Sequence, residues 1–147
     1  MTLVATSSRT DFAVSRDVRR AFTRSASRFL PVAGDVVSQA TELFGTCSDI
    51  VSGLEKRYLS FPVWPWDGQV ALLLMGWVMG PGFKLEKFQA AACIYAPDFR
   101  EMSRQCVFPH RGHTGVMALG DRCRRGFETA ADVVSENRNR KKLFNVW

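Results

Sequence analysis

One uncharged apolar run constrains the fold of this chain more than any other feature: residues 70–83, VALLLMGWVMGPGF. The run is shorter than the ~20 apolar residues that an α-helix needs to cross a bilayer. Extending it back to Phe61 reaches that length but takes in two prolines and Asp67. We therefore expect one short helix that is apolar enough for a membrane, here called membrane-grade, and that is either buried or partly inserted into the bilayer. The alternative is a buried helix in a soluble domain.

The net positive charge of the chain lies at its two ends. The 147 residues carry a formal net charge of +6, with +4 in residues 1–30, +4 in residues 137–147 and −2 in residues 31–136. We expect a basic amphipathic N-terminal segment, a single helical domain over 31–136 and a basic aromatic tail. Nucleic-acid binders usually carry their charge on the folded face that docks. The distribution thus favours anionic lipid, an import receptor or an acidic partner subunit over nucleic acid.

The N-terminal segment has the composition of a mitochondrial transit peptide. It is rich in Arg and Ser and poor in acids, and apolar residues such as Val18 and Phe22 recur at spacings near three to four. Amphipathic, Arg-rich, acid-poor segments are typical of mitochondrial targeting. The pattern predicts a mitochondrial location and leaves open whether the segment is cleaved or retained. A surface helix with a solvated basic face is the alternative.

Apolar spacing predicts a mainly α fold of about four to five helices. The expected helices cover residues 15–29, 34–59, 69–80, 84–95 and about 116–137. The second helix is amphipathic, so one of its sides must pack on something apolar. No alternating strand pattern of useful length competes with these helices.

Two sets of residues in and near the apolar run suggest membrane or partner contacts. Gly76 and Gly80 form a GxxxG pair, which lets another helix approach closely in lipid. Gly80 also suits a simple helix stop, because Pro81 follows it. The expected membrane-interface anchors are Trp64, Trp66 and Trp77. The alternative is that these rings pack on protein.

The basic tail, RNRKKLFNVW, mixes cations with Phe144 and Trp147. Such a mixture suits a lipid surface or stacking on RNA. A tail that docks on a neighbouring subunit is an equally good interpretation. The expected lipid or partner contacts are Arg138, Arg140, Lys141 and Lys142.

Candidate chemistry is sparse. Zinc prefers four N or S ligands, which usually come as two pairs that are each close in sequence. Here only the two histidines are close in sequence. No nucleophile, base and orienting carboxylate stand out together, so we expect no enzyme, no cofactor and no metal. The weak metal candidates are Cys106, His110, His113 and Cys123. The simpler interpretation is that the histidines lie in a loop and the cysteines are buried.

Three short motifs follow one another between about residues 30 and 110. They are Gly34, Asp35, Ser38 and Gln39; Gly76, Gly80, Pro81, Phe83 and Phe88; and Arg100, Met102, Gln105, Phe108 and Pro109. In this order they resemble the Mpv-seventeen family of small four-helix membrane proteins of mitochondria and peroxisomes, which implies a channel-like role. The chain departs from the family in a longer first loop, an altered pattern after Gly-Pro and a missing Trp-Pro helix. These departures favour a structural role over a channel-like one.

The leading hypothesis is a non-catalytic accessory subunit of a mitochondrial inner-membrane complex, a respiratory complex or ATP synthase. Larger membrane-protein subunits would be its partners, with anionic lipid as a further contact. One alternative is a small channel-like membrane protein, which predicts a homo-oligomer. Another is a soluble RNA-associated mitochondrial protein, such as a ribosome component, which predicts release by salt because phosphate contacts weaken as salt rises.

Overall fold

The computed structural model describes residues 14–29, 36–92, 96–108 and 114–147, with side chains of the second helix from residue 47 onward. This part of the chain is mainly helical and contains no strand. Its helices are α1 (Arg16–Phe29), α2 (Val36–Arg57), α3 (Trp66–Met79), α4 (Glu86–Ala92), α5 (Phe99–Gln105) and α6 (Thr114–Ser135), with a short 3-10 helix at Phe61–Val63.

Helix α3 lies at the centre of the fold. Helices α1, α2 and α6 pack on it, and its ten residues from Asp67 to Gly76 are all buried. A helix that is apolar on every side has to be covered all round, and here the protein's own helices supply that cover. The expected membrane-grade helix is therefore not confirmed, because the apolar run forms the core helix. No helix in the described ranges has both the length and the apolarity to cross a membrane.

The ends of α1 and α3 follow local chemistry. The Ser15 hydroxyl accepts a hydrogen bond from the Val18 backbone N–H at 3.1 Å, which caps the first turn of α1. Helix α3 begins at Trp66, earlier than the expected residue 69, with Pro65 at its N-cap. It ends at Gly80, whose φ of +88° lies in a region that favours glycine.

Helix α5 was missed by the apolar spacing. It has only seven residues, and its N-cap residue Asp98 accepts a hydrogen bond from the Glu101 backbone N–H at 3.1 Å. It packs on α4 and α6, burying Phe99 and Met102. The described part of the chain thus has six helices where four to five were expected.

The last ten residues, 138–147, are here called the strap, and they lie against the start of α3. The backbone N–H of Trp66 donates to the Arg140 carbonyl at 3.0 Å. The Arg140 guanidinium donates in turn to the Val63 carbonyl at 3.0 Å. The basic tail is therefore a folded part of the molecule, joined to residues more than seventy positions earlier in the sequence.

The strap ends on a buried carboxylate. Asp67 is fully buried and accepts hydrogen bonds from the backbone N–H groups of Phe144 at 2.8 Å and Asn145 at 3.0 Å. Its third donor is the indole N–H of Trp147 at 2.9 Å. The Trp147 ring itself is buried beside Gly126 of α6. One carboxylate thus accepts hydrogen bonds from three residues of the strap.

Candidate anion-binding face

Helix α1 turns an apolar side to the core and an arginine stripe to solvent. Val18, Phe22 and Ala26 are buried at intervals of four residues. Side chains four apart lie above one another on a helix, so a second set at the same interval forms a continuous stripe. This set, here called the basic face, is exposed throughout and consists of Arg16, Arg20, Arg24 and Arg28.

Arg19 lies outside this stripe and connects α1 to α2. Its guanidinium donates to the Ser48 hydroxyl at 3.4 Å, and its side chain is half-buried. Burial raises the pKa of the neighbouring Cys47 thiol to about 11, and the positive charge of Arg19 lowers it by less. This connection of α1 to α2 thus uses an arginine outside the basic face.

The basic face suits multivalent binding of anions. Each guanidinium presents a planar fork of N–H donors that matches a carboxylate or a phosphate. Like charges one turn apart destabilise a helix by about 0.2–0.5 kcal/mol per pair, so the stripe costs the isolated helix stability. An anionic partner would remove that repulsion.

The glycine pair has two separate roles within the chain. A Cβ atom on Gly76 would lie 2.8 Å from the Ile50 side chain, so this glycine permits close packing of α3 on α2. Gly80 has no neighbour within 4 Å of such an atom, and its positive φ ends α3. A packing role for either glycine against a partner stays a prediction.

All three candidate interface tryptophans contact protein. The Trp64 ring is buried, donates from its indole N–H to the Ser60 hydroxyl at 2.9 Å, and packs edge-on against Phe99 at 5.3 Å between centroids. Trp77 packs edge-on against Phe22 at 6.1 Å. Trp66 is partly buried against the core. These contacts agree with the alternative in which the rings pack on protein, and a membrane-interface role is untested.

The tail cations combine exposed charge with local contacts. The Arg138 guanidinium carbon lies 4.5 Å from the centroid of the Phe144 ring, and the Lys142 ammonium lies 5.2 Å from it. Cations over an aromatic ring at such distances are attracted to its face. The expected contact residues, all exposed, are Arg138, Arg140, Lys141 and Lys142. Binding of lipid or a partner by them remains to be tested.

The two cysteines among the metal candidates are buried. The Cys106 sulfur lies 3.8 Å from the Met75 sulfur, and the Cys123 thiol lies 3.5 Å from the Ala71 carbonyl oxygen. Burial raises the pKa of Cys106 to about 12 and that of Cys123 well above its usual value. No group of three or more His, Cys, Asp or Glu suited to a metal occurs in the part of the chain that is described. The other two candidates, His110 and His113, lie outside it.

The sequence reading missed the role of Asp67. It appears in the sequence only as an interruption of the apolar run, and its partners in the strap lie 77 to 80 residues away. A lone carboxylate in an apolar segment was the available signal, because buried charges almost always have partners. The identity of those partners depends on the tertiary fold.

The comparisons with known proteins add no relative. No family model, no curated protein and no solved structure matches the chain. The resemblance to the Mpv-seventeen family therefore stays a prediction, and three of its quoted residues, Gly34, Asp35 and Pro109, lie outside the described ranges.

Proposed function

We propose that the chain is a non-catalytic accessory subunit of a mitochondrial inner-membrane complex, a respiratory complex or ATP synthase. In this proposal, the basic face of α1 binds acidic side chains of a larger membrane-protein subunit. The observation that carries the proposal is the exposed stripe of four arginines on a helix whose opposite side is buried in the core.

A partner subunit would explain why the stripe is exposed. The core side of α1 uses Val18, Phe22 and Ala26, and the connection to α2 uses Arg19. Arg16, Arg20 and Arg24 repel one another along the helix. Opposing carboxylates would relieve that repulsion through charge-assisted hydrogen bonds, which are about twice as strong as neutral ones. The mitochondrial location rests on the Arg- and Ser-rich composition of residues 1–30.

The first test is the size of the assembly that contains the full-length protein. Mitochondria with the tagged protein are solubilised in mild detergent, resolved on a native gel and analysed by mass spectrometry of the excised band. The proposal expects the tag to migrate with the subunits of one large inner-membrane complex. Migration as a small homo-oligomer would favour the channel-like alternative and contradict the proposal.

The second test removes charge from the basic face. Arg20→Glu with Arg24→Glu changes the charge by four units, and Lys84→Glu with Lys87→Glu makes the same change on exposed side chains elsewhere. We expect the arginine variant to lose most of its co-purifying subunits and the lysine variant to keep them. Circular dichroism checks that both variants remain helical. Equal loss in the two variants would show that overall charge, rather than this face, holds the partner.

Arginine changes in α1 can also affect import, so a third measurement avoids import altogether. The assembled wild-type complex is extracted and washed with increasing salt. Electrostatic contacts between exposed groups weaken as the Debye length falls, and we expect release of this subunit before the rest of the complex dissociates. Retention through 1 M salt would contradict docking through the basic face.

A second candidate function is supported by the same helix. The basic face belongs to a folded, exposed element, as is usual for nucleic-acid binders, so association with mitochondrial RNA is the alternative. Ribonuclease treatment of the extract distinguishes the two functions. Release of the protein by ribonuclease would favour the RNA-associated function, and retention would favour the accessory subunit.

A further inference from the structure

The turn between α2 and α3 presents apolar side chains to solvent. Leu59 is 86% exposed and Val63 is 65% exposed. Pro62, between them, is exposed as well. A single exposed apolar residue is common on a protein surface and needs no explanation. Three of them within five residues concentrate apolar surface in one turn, and such a concentration is typical of a binding surface.

The backbone of this turn is held in place from the core side. Three successive backbone hydrogen bonds close it between residues 58 and 64. The side-chain amide of Gln69 donates to the carbonyls of Phe61 and Pro62, both at 3.1 Å. The rings of Phe61 and Trp64 are buried and attach the turn to the core. The exposed apolar side chains therefore lie on a fixed backbone that directs them away from the core.

Cations of the strap lie directly beside this turn. The Arg140 guanidinium donates to the Val63 carbonyl at 3.0 Å, and the Arg140 carbonyl accepts from the Trp66 backbone N–H at 3.0 Å. Lys141 and Lys142 come next in the chain and are exposed. A carbonyl carries no net charge, so the hydrogen bond leaves the charge of Arg140 in place. Over the ranges that the structure describes, none of these three cations takes part in an ion pair.

We propose that the turn and the strap together bind the surface of an anionic lipid bilayer. The residues that form this turn-and-strap surface are Leu59, Pro62, Val63, Arg140, Lys141 and Lys142. Exposed apolar side chains can enter the headgroup region of a bilayer, while neighbouring cations stay with the lipid phosphates. Cations alone would suit any polyanion, and apolar side chains alone would suit an apolar protein surface. The two side by side favour anionic lipid.

This surface goes beyond the proposed docking of α1 on a larger subunit. It shares no residue with the basic face, and its parts are already joined in the single chain. Binding to lipid is therefore expected without any partner subunit. Failure of lipid binding would leave the docking proposal standing, and the reverse also holds.

The test measures how the purified full chain partitions onto lipid vesicles, by co-sedimentation at constant ionic strength. The vesicles contain either phosphatidylcholine alone or phosphatidylcholine and phosphatidylglycerol in equal amounts. The apolar variant is Leu59→Gln with Val63→Gln, which leaves the charge unchanged. Its matched control is Val107→Gln with Met117→Gln, at two apolar side chains that are exposed elsewhere.

A second pair of variants tests the charge. Lys141→Gln with Lys142→Gln removes two charges from the turn-and-strap surface. Arg20→Gln with Arg24→Gln removes the same number from exposed positions on the basic face of α1. Circular dichroism checks that all four variants remain helical.

We expect the wild type to bind the anionic vesicles and to bind phosphatidylcholine alone much more weakly. The apolar variant should lose about tenfold in partition coefficient, because two apolar side chains no longer leave water on binding. The lysine variant should lose at least about tenfold, because each cation near an anionic bilayer contributes about fivefold. Both controls should change by less than about threefold.

Three outcomes would overturn the proposal. Equal weakening in the lysine and arginine variants would reveal unspecific charge attraction. An apolar variant that binds as tightly as the wild type would show that the turn does not enter the headgroup region. An absence of binding to the anionic vesicles would exclude lipid as the ligand and leave these residues to a protein partner.

Discussion

At the scale of single residues, Gly126 lies where α6 and the strap approach each other closely. A Cβ atom there would lie 2.7 Å from the Trp147 ring and 3.0 Å from the Asp67 carbonyl oxygen. We expect Gly126→Ala to displace the ring and to lower the free energy of unfolding by about 1–3 kcal/mol, the usual cost of overpacking a core. Chemical denaturation followed by circular dichroism measures this change.

Gly120→Ala is the matched control, because it makes the same substitution in the same helix. The nearest atoms to a Cβ at Gly120 belong to Phe108 at 3.5 Å, which is an ordinary contact. Alanine favours a helix over glycine by about 0.5–1 kcal/mol, so this variant should be as stable as the wild type or more stable. Equal effects of the two substitutions would argue against close packing at Gly126.

The Asp67 carboxyl predicts a definite pH dependence. Burial raises its pKa, and the hydrogen bonds from the strap lower it by less. The folded state therefore binds this proton more tightly than the unfolded state does, and the stabilisation from Asp67 is largest below about pH 4 and is lost as pH rises through the folded pKa. Between pH 4 and pH 7, the wild type should therefore lose stability relative to Asp67→Asn, as measured by the free energy of unfolding.

Urea denaturation of both proteins at pH 4, 5.5 and 7 measures this difference. The asparagine variant does not titrate at this position, so changes from other groups appear in both proteins and cancel. If the wild type instead gained stability relative to Asp67→Asn as the pH rises, the three hydrogen bonds would lower the pKa of Asp67 by more than burial raises it.

At the scale of elements, the strap should belong to the cooperative fold. Trp147→Ala removes a buried ring and the indole donor to Asp67, and we expect a loss of about 3–5 kcal/mol. Trp147→Phe keeps an aromatic ring without the N–H group and should lose about 1–3 kcal/mol. Thermal unfolding by circular dichroism ranks the two variants. A loss below 1 kcal/mol for the alanine variant would show that the strap detaches from the core at little cost.

The sequence allowed several elements to be predicted because their signals are local. Apolar spacing located α1, α2, α3, α4 and α6, and Pro81 beside Gly80 indicated the end of α3. Helix α5 was missed because seven residues are too few for a periodic pattern, although Asp98 followed by Glu101 has the spacing of a capping box. That spacing was the signal that could have revealed it.

The remaining features depend on contacts that are distant in sequence. An apolar run has the same composition whether lipid or other helices cover it, so the run at residues 70–83 did not decide between a membrane and a core helix. The basic face was readable from the spacing of Arg20 and Arg24. The partners of Asp67 could not be predicted, because the strap meets the start of α3 only in the tertiary fold.

At the scale of the whole molecule, the buried thiols provide a measure of global unfolding. Cys47, Cys106 and Cys123 are buried, and burial raises the pKa of each. Because the thiolate is the reactive form, we expect these thiols to resist a thiol reagent at pH 8 in the native protein. In a Cys93→Ser background, labelling should increase with denaturant in parallel with the loss of helix. Rapid labelling without denaturant would reveal local opening of the core.

The long sequence separation between Asp67 and the strap affects how the protein is made. The Trp147 indole lies 80 residues after the carboxylate that it contacts. At a synthesis rate of about 5–20 residues per second, the ribosome adds those residues in roughly 4–16 s. Until Thr114 is reached, the most apolar helix of the nascent chain has neither α6 nor the strap to cover it. Chaperones that recognise exposed apolar segments should therefore bind near residues 70–79 during translation and dissociate once the strap has closed.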